Sequence, residues 1–310
     1  MTTSNKLHIV KMHPDALVAL RKRHSPGGAK IAPGFTARKA LNLVNRGGRT
    51  LNDLRFVNVY LGGWAGSDVS NIDTALAGAL TDPALNHVVQ QYFQSPVTTS
   101  FLGNSRQPDS PLVPGAVYNR DAVHTTLASL DLSTYDLTKT VVCLYLPEGV
   151  ILDTTSTGPG GVGNDKQRTV KVGEPDGEDD STQGLGGYHG SAQIGGETVL
   201  FAVAVYSDAV GGVINGIPVW PDPWKNIVAT MYHELNEART DPDVEASMRQ
   251  SNDGLLGWYS DKGGEIGDIP MSEAGANLSS VMMEVPLTAG GTVPIQLMWS
   301  NEVGGPGLPY

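Results

Sequence analysis

Apolar and polar positions fall into regular blocks from Arg55 onward. Phe56-Val57-Asn58-Val59-Tyr60-Leu61 has the β-rich, half-alternating pattern of a strand and is closed by Gly62-Gly63-Trp64 as a turn. Ser67 or Asp68 then opens a helix whose apolar positions are Ile72, Leu76 and Leu80, and Asp82-Pro83 starts another carrying Leu85, Val88, Val89 and Phe93. Residues 121–130 form a further predicted helix. Thr140 to Leu146 and Thr198 to Tyr206 are almost continuously apolar, as expected of strands buried on both faces. From Pro223 the apolar residues Trp224, Ile227, Val228, Met231 and Leu235 recur every three or four positions, with Asp222 as cap and proline in the first turn, which predicts a long helix. A second helical piece spans 243–250, a glycine-rich loop 254–268, and closing strands 281–285 and 293–299. Strands alternating with helices predict an α/β or α+β fold with a central mixed sheet flanked by helices.

Organisation follows the same pattern. Residues 1–50 are polar, basic and broken by Gly and Pro, and are expected to be an arm or a pro-segment-like region; 51–310 reads as a single domain. Within it, 154–196 is a long loop rich in Gly, Asp and Ser. Its acidic run at 174–180 is a candidate for Ca2+ through carboxylate oxygens, although it has no EF-hand spacing. The plain alternative is a solvated loop.

Composition narrows the partners. The chain has 310 residues, 40% hydrophobic, with a net charge of −11. An acidic chain lacks the clustered Lys and Arg that phosphate binding needs, so nucleic acid is excluded as the expected partner; the nearest basic stretch runs from Lys6 to Arg46. The single cysteine, Cys143, lies in an apolar run and reads as a small buried residue. No apolar run is long enough to span a bilayer, so no membrane insertion is expected, and no hydrophobic leader is visible in the first thirty residues. The expected location is cytoplasmic, with export by a non-classical route as the alternative.

The chemistry concentrates in His233-Glu234-Leu235-Asn236-Glu237. His233 and Glu237 are four apart on a helix, hence on one face, and can chelate one divalent ion. Glu234 stands where zinc proteases of the His-Glu-x-x-His type keep their general base, with glutamate here replacing the second histidine; the helix is zincin-like. A zinc site needs about three protein ligands and an open position. Of Asp261, Glu265 and Asp268 downstream, Glu265 is the first choice for the third ligand and Asp268 the second. Asp241, just before Pro242, is expected to brace a turn. Tyr259 could donate to a developing oxyanion. His189, in Gly186-Gly187-Tyr188-His189-Gly190, is a candidate ligand or electrophile. One Zn2+ per chain is the expected cofactor; the carboxylate-rich set makes Mn2+ or Fe2+ the lesser candidates. No P-loop, Rossmann glycine fingerprint or nucleophile elbow is present.

Taken together these segments resemble the phosphate-induced, or EXORDIUM-like, protein family of plants and its bacterial and fungal relatives. Val57 to Trp64 is similar to that family's early strand ending in Gly-x-Trp, and Gly187-Tyr188-His189-Gly190 to its Gly-Phe-His-Tyr segment. His233 to Glu237 with Thr240-Asp241-Pro242, Gly257-Trp258-Tyr259, Glu265-Ile266-Gly267-Asp268, Gln296 to Asn301 and Gly305-Pro306 follow in the family's order. The likeness covers about residues 55 to 306. It implies that His189, His233, Glu234, Glu237, Glu265 and Asp268 form one recurring set. Plant members are secreted and carry cysteines near the His segment and after the Glu-Ile-x-Asp motif; here Ile269-Pro270 follows Asp268. The expected function is a zinc-dependent hydrolase of the metallopeptidase type, acting on a peptide or small molecule. The alternatives are a carbohydrate- or cell-wall-binding protein with a structural metal, and a metalloenzyme of specialised metabolism.

Overall fold

The computed structural model describes residues 30–107, 112–154, 180–210 and 213–309. Residues 1–29 of the basic stretch and 174–179 of the acidic run, the candidate for calcium, lie outside the described residues. At the centre is a five-stranded sheet. Its strands are β1 (Asp53–Leu61), β2 (Thr98–Gln107), β3 (Thr140–Tyr145), β4 (Gly187–Ile194) and β5 (Glu197–Ala204), in the spatial order β2-β1-β3-β5-β4. The first four in that order run parallel, and β4 returns antiparallel to β5. The turn between β4 and β5 is Gly195-Gly196, both with positive φ, which glycine alone adopts without strain.

Helices cover both faces, giving three layers and an α/β architecture. The helices are α1 (Gly66–Thr81), α2 (Pro83–Gln90), α3 (Arg120–Ser129), α4 (Pro223–Thr240), α5 (Val244–Gln250) and α6 (Asp268–Ala274). Alternation along β1 divides the core: Leu54, Phe56 and Tyr60 join Ile72, Leu76, Ile227, Met231 and Leu235 of α1 and α4, while Val57, Val59 and Leu61 join Val123 and Leu127 of α3. β3 is buried throughout, with Cys143 fully enclosed, which explains its near-continuous apolar sequence. Between β1 and α1 the core is polar: the Asp73 carboxylate accepts from Asn58 Nδ2 at 2.6 Å, from the Tyr60 hydroxyl at 2.7 Å and from Asn104. Every donor there has an acceptor, the condition under which a buried polar group is tolerated.

Several elements differ from their sequence expectation. β2 is a half-exposed edge strand of polar residues and has no apolar signature. β4 lies at the end of the segment read as loop 154–196. The two C-terminal strands, β6 (Met282–Pro286) and β7 (Thr292–Gln296), do not extend the central sheet but pair with each other. Residues 30–50, read as part of an arm, pack on the body: Ala32, Leu41 and Leu43 are buried, Lys30–Ile31 pairs with Gly307–Leu308, and Val44–Asn45 with Trp258–Tyr259. Among the described residues no helix is long and apolar enough to cross a membrane.

Candidate metal centre

Helix α4 is enclosed along most of its length, its apolar stripe set on the sheet and its last turns walled by other segments. Burying a helix this completely leaves no solvent for its polar residues, so Glu234, Glu237, Arg239 and Asp241 are all nearly or fully inaccessible. Pro242 stops the helix after Thr240, and the chain turns from one face of the sheet to the other around β4. Two glycines of β4 make room for this. A Cβ at Gly187 would lie 3.0 Å from Thr230 Cγ2 and 3.1 Å from Glu234 Oε1 of α4; one at Gly190, on the opposite face, would lie 2.4 Å from Glu245 Oε2 of α5. Between them His189 points at the polar end of α4.

The segment 265–268 closes the other side. Ile266 is fully buried in the core and anchors it. Gly267 sits so close to α4 that a Cβ there would be 2.5 Å from His233 Nδ1. The backbone N–H groups of Gly267 and Asp268 donate to Glu237 Oε1 at 3.0 and 3.1 Å. Glu265 and Asp268 thus flank the same carboxylate from one short stretch.

These elements bring His189, His233, Glu234, Glu237, Glu265 and Asp268 together. His233 Nε2 lies 3.0 Å from Glu237 Oε2, 3.7 Å from Asp268 Oδ1 and 4.0 Å from Glu234 Oε1. His189 Nδ1 lies 3.2 Å from Glu234 Oε2 and 3.6 Å from Glu237 Oε2, and its Nε2 3.5 Å from Glu265 Oε1. The tautomers follow from the outer partners. His233 Nδ1 faces Gln296 Oε1 at 2.7 Å and His189 Nε2 faces the Asp241 carbonyl at 3.1 Å; both partners accept, so these nitrogens donate. The inward nitrogens are then free to bind a proton or a metal.

Charge is concentrated and unevenly compensated. Burial opposes a charged His189, but its hydrogen bond to Glu234 and the charges of Glu237 and Glu234 outweigh it and raise the pKa to about 9. Burial opposes a charged His233 as well, and there Glu237 and Glu234 hold the pKa well above the ordinary imidazole value. Burial likewise disfavours ionised Glu237, yet His233 and His189 bring it below the ordinary glutamate value. Glu265 is held well above that value, first by burial and then by the charges of Glu237, Asp241, Asp268 and Glu234. Burial lifts Asp241 to about 7 against the pull of the Gly257 N–H.

Two donor sets emerge: His189, Glu237 and Glu265, all buried, and His233, Glu237 and Asp268, of which Asp268 is exposed. The helical pair His233 and Glu237 falls with Asp268, the second choice for the third ligand, while Glu265, the first choice, falls with His189 and Glu237. Asp261 is turned away, its side chain 76% exposed and paired with Arg46. Tyr259 lies on the two-residue strand paired with Val44–Asn45. Asp241 braces its turn by accepting from Gly257 N at 2.9 Å while its carbonyl holds His189. Gln296, named in the sequence only as the start of a C-terminal segment and not as a site residue, is brought to His233 by the folding of β7 against α4. No protein-family description, curated protein or solved structure matches this chain.

Proposed function

We propose that this chain is a zinc-dependent hydrolase of the metallopeptidase type, and that it belongs with the EXORDIUM-like proteins it resembles. The observation that carries the reading is the placement of His233 Nε2, 3.0 Å from Glu237 Oε2, with Nδ1 tied to Gln296 and Glu234 as the adjoining carboxylate. The donor set of imidazole and carboxylate suits zinc, and Glu265 Oε1 is buried without a hydrogen bond, as expected where a cation completes the cluster. Zinc bound there supplies a Lewis acid that lowers the pKa of water. Glu234 is the base: its Oε1, 4.0 Å from His233 Nε2, takes the proton of the attacking water and returns it to the departing amine. His189 stands beside this base, its Nε2 donating to the Asp241 carbonyl and its Nδ1 3.2 Å from Glu234 Oε2. Asp268, whose side chain is 51% exposed, marks the side from which substrate would enter.

The test is Glu234→Gln in untagged protein, assayed on a fluorogenic peptide library with zinc content measured in parallel. Loss of at least about a hundredfold in turnover with zinc retained is expected of a general base. Peptide hydrolysis unchanged in that variant would remove the proposal.

A further inference from the structure

The hydrolase reading calls for one ion, and the cluster holds donors for two. We infer that the site is a two-ion centre in which Glu237 bridges an inner ion, held with His189 and Glu265, and an outer ion, held with His233 and Asp268. This inference rests on the metal-dependent reading and extends it.

The donors divide into two sets, each with its ligand atoms within 4.8 Å of one another, and Glu237 belongs to both. Glu237 is oriented for that role. Its Oε1 is occupied by the backbone N–H groups of Gly267 and Asp268, which leaves Oε2 between the two imidazoles, 3.0 Å from His233 Nε2 and 3.6 Å from His189 Nδ1. Each histidine has its outward N–H engaged, one by the Gln296 amide oxygen and one by the Asp241 carbonyl, so each turns one nitrogen to the same bridging oxygen. Outer hydrogen bonds of this kind fix ligating histidines in metal sites.

Two further observations distinguish two ions from one. Glu265, 7% exposed, has an Oε1 that makes no hydrogen bond and lies 3.5 Å from His189 Nε2. An unpartnered buried carboxylate oxygen is costly unless a cation meets it. The carboxylates of Glu234, Glu237, Glu265 and Asp268 all reach the imidazoles. With both imidazoles deprotonated as ligands and all four carboxylates ionised, the set carries four negative charges, which two divalent ions offset and one does not.

Access differs between the sets. His189 and Glu265 are buried, whereas the Asp268 side chain is 51% exposed. A closed set retains its ion and an open one keeps a position for water. The inner ion is therefore the slowly exchanging, structural member, and the outer ion the one at which chemistry takes place.

The full chain, stripped by chelator and dialysed against zinc chloride at neutral pH, provides the test, with bound zinc counted by plasma mass spectrometry. The expected counts are two ions per chain in the wild type, one in Asp268→Asn and one in Glu265→Gln, with the ion lost in Asp268→Asn being the faster to leave in chelator. Circular dichroism establishes that each variant is folded. A wild-type measurement needs no variant: two cobalt ions bridged by Glu237 are magnetically coupled, and two uncoupled ions would overturn the bridge. One zinc per wild-type chain overturns the two-ion centre while leaving the single-ion hydrolase standing. No zinc overturns both. Two ions retained in both Asp268→Asn and Glu265→Gln would lie outside the cluster and overturn this inference.

Discussion

His233 Nδ1 lies 2.7 Å from Gln296 Oε1, and the same amide donates through Nε2 to the Gly267 carbonyl at 2.6 Å. The second contact fixes which end of the amide faces the histidine, and so fixes Nδ1 as a donor and turns Nε2 toward Glu237. Gln296→Leu keeps the bulk and removes both contacts. Zinc affinity is expected to fall about 10- to 100-fold, the usual effect of losing an outer partner of a ligating histidine. Competition with a chromogenic chelator measures it, and an affinity equal to wild type would exclude a positioning role for Gln296.

The glycine of β4 at Gly190 is required by packing. An alanine Cβ there would lie 2.4 Å from Glu245 Oε2 and 2.8 Å from Glu245 Cβ, so α5 has to shift. Gly190→Ala is expected to destabilise the fold by about 2 kcal/mol, in the range of overpacked cores. Equilibrium unfolding in urea reads this directly; an unchanged midpoint would mean that α5 yields freely.

Protonation and metal binding oppose each other in this cluster, which sets the sign of the pH dependence. His189 has its folded pKa raised to about 9 from 6.5, so its ion pairing contributes fully below 6.5 and is lost as the pH rises through about 9. Asp241 is raised to about 7 from 3.8, and its folded form binds a proton that the unfolded chain releases, so stability again falls as the pH rises through that window. Metal-free protein should therefore melt at a lower temperature near pH 9 than near pH 6. With saturating zinc, which binds the deprotonated ligands, the increment in melting temperature should grow over the same interval. Scanning calorimetry with and without zinc measures both; metal-free protein that is more stable near pH 9 than near pH 6 would contradict the assignment.

The layered fold and most of the cluster can be read from the chain, for identifiable reasons. β3 and β5 are buried on both faces and must be apolar throughout, and α4 begins at Pro223 with an unbroken apolar stripe, so pattern alone locates them. β2 carries Thr, Ser, Asn and Arg because an edge strand can leave half its surface in water, and nothing in such a sequence separates it from a loop. β4 is hidden by its glycines, which suit the approach of α4 and α5 and at the same time look like loop residues. His233, Glu234 and Glu237 share one helix and are found by spacing. The partition of Glu265 and Asp268 between two sets depends on the turn at Gly267, and the part played by Gln296 on the docking of β7; both are tertiary relations with no local signal.

The most direct test of the account is anomalous diffraction at the zinc edge from crystals of the full chain grown with zinc chloride. The expected result is a peak bounded by His233 Nε2, Glu237 Oε2 and Asp268, with a second beside His189 and Glu265. A map with no anomalous peak within coordination distance of Glu237 would contradict the metal centre and, with it, the hydrolase proposed here.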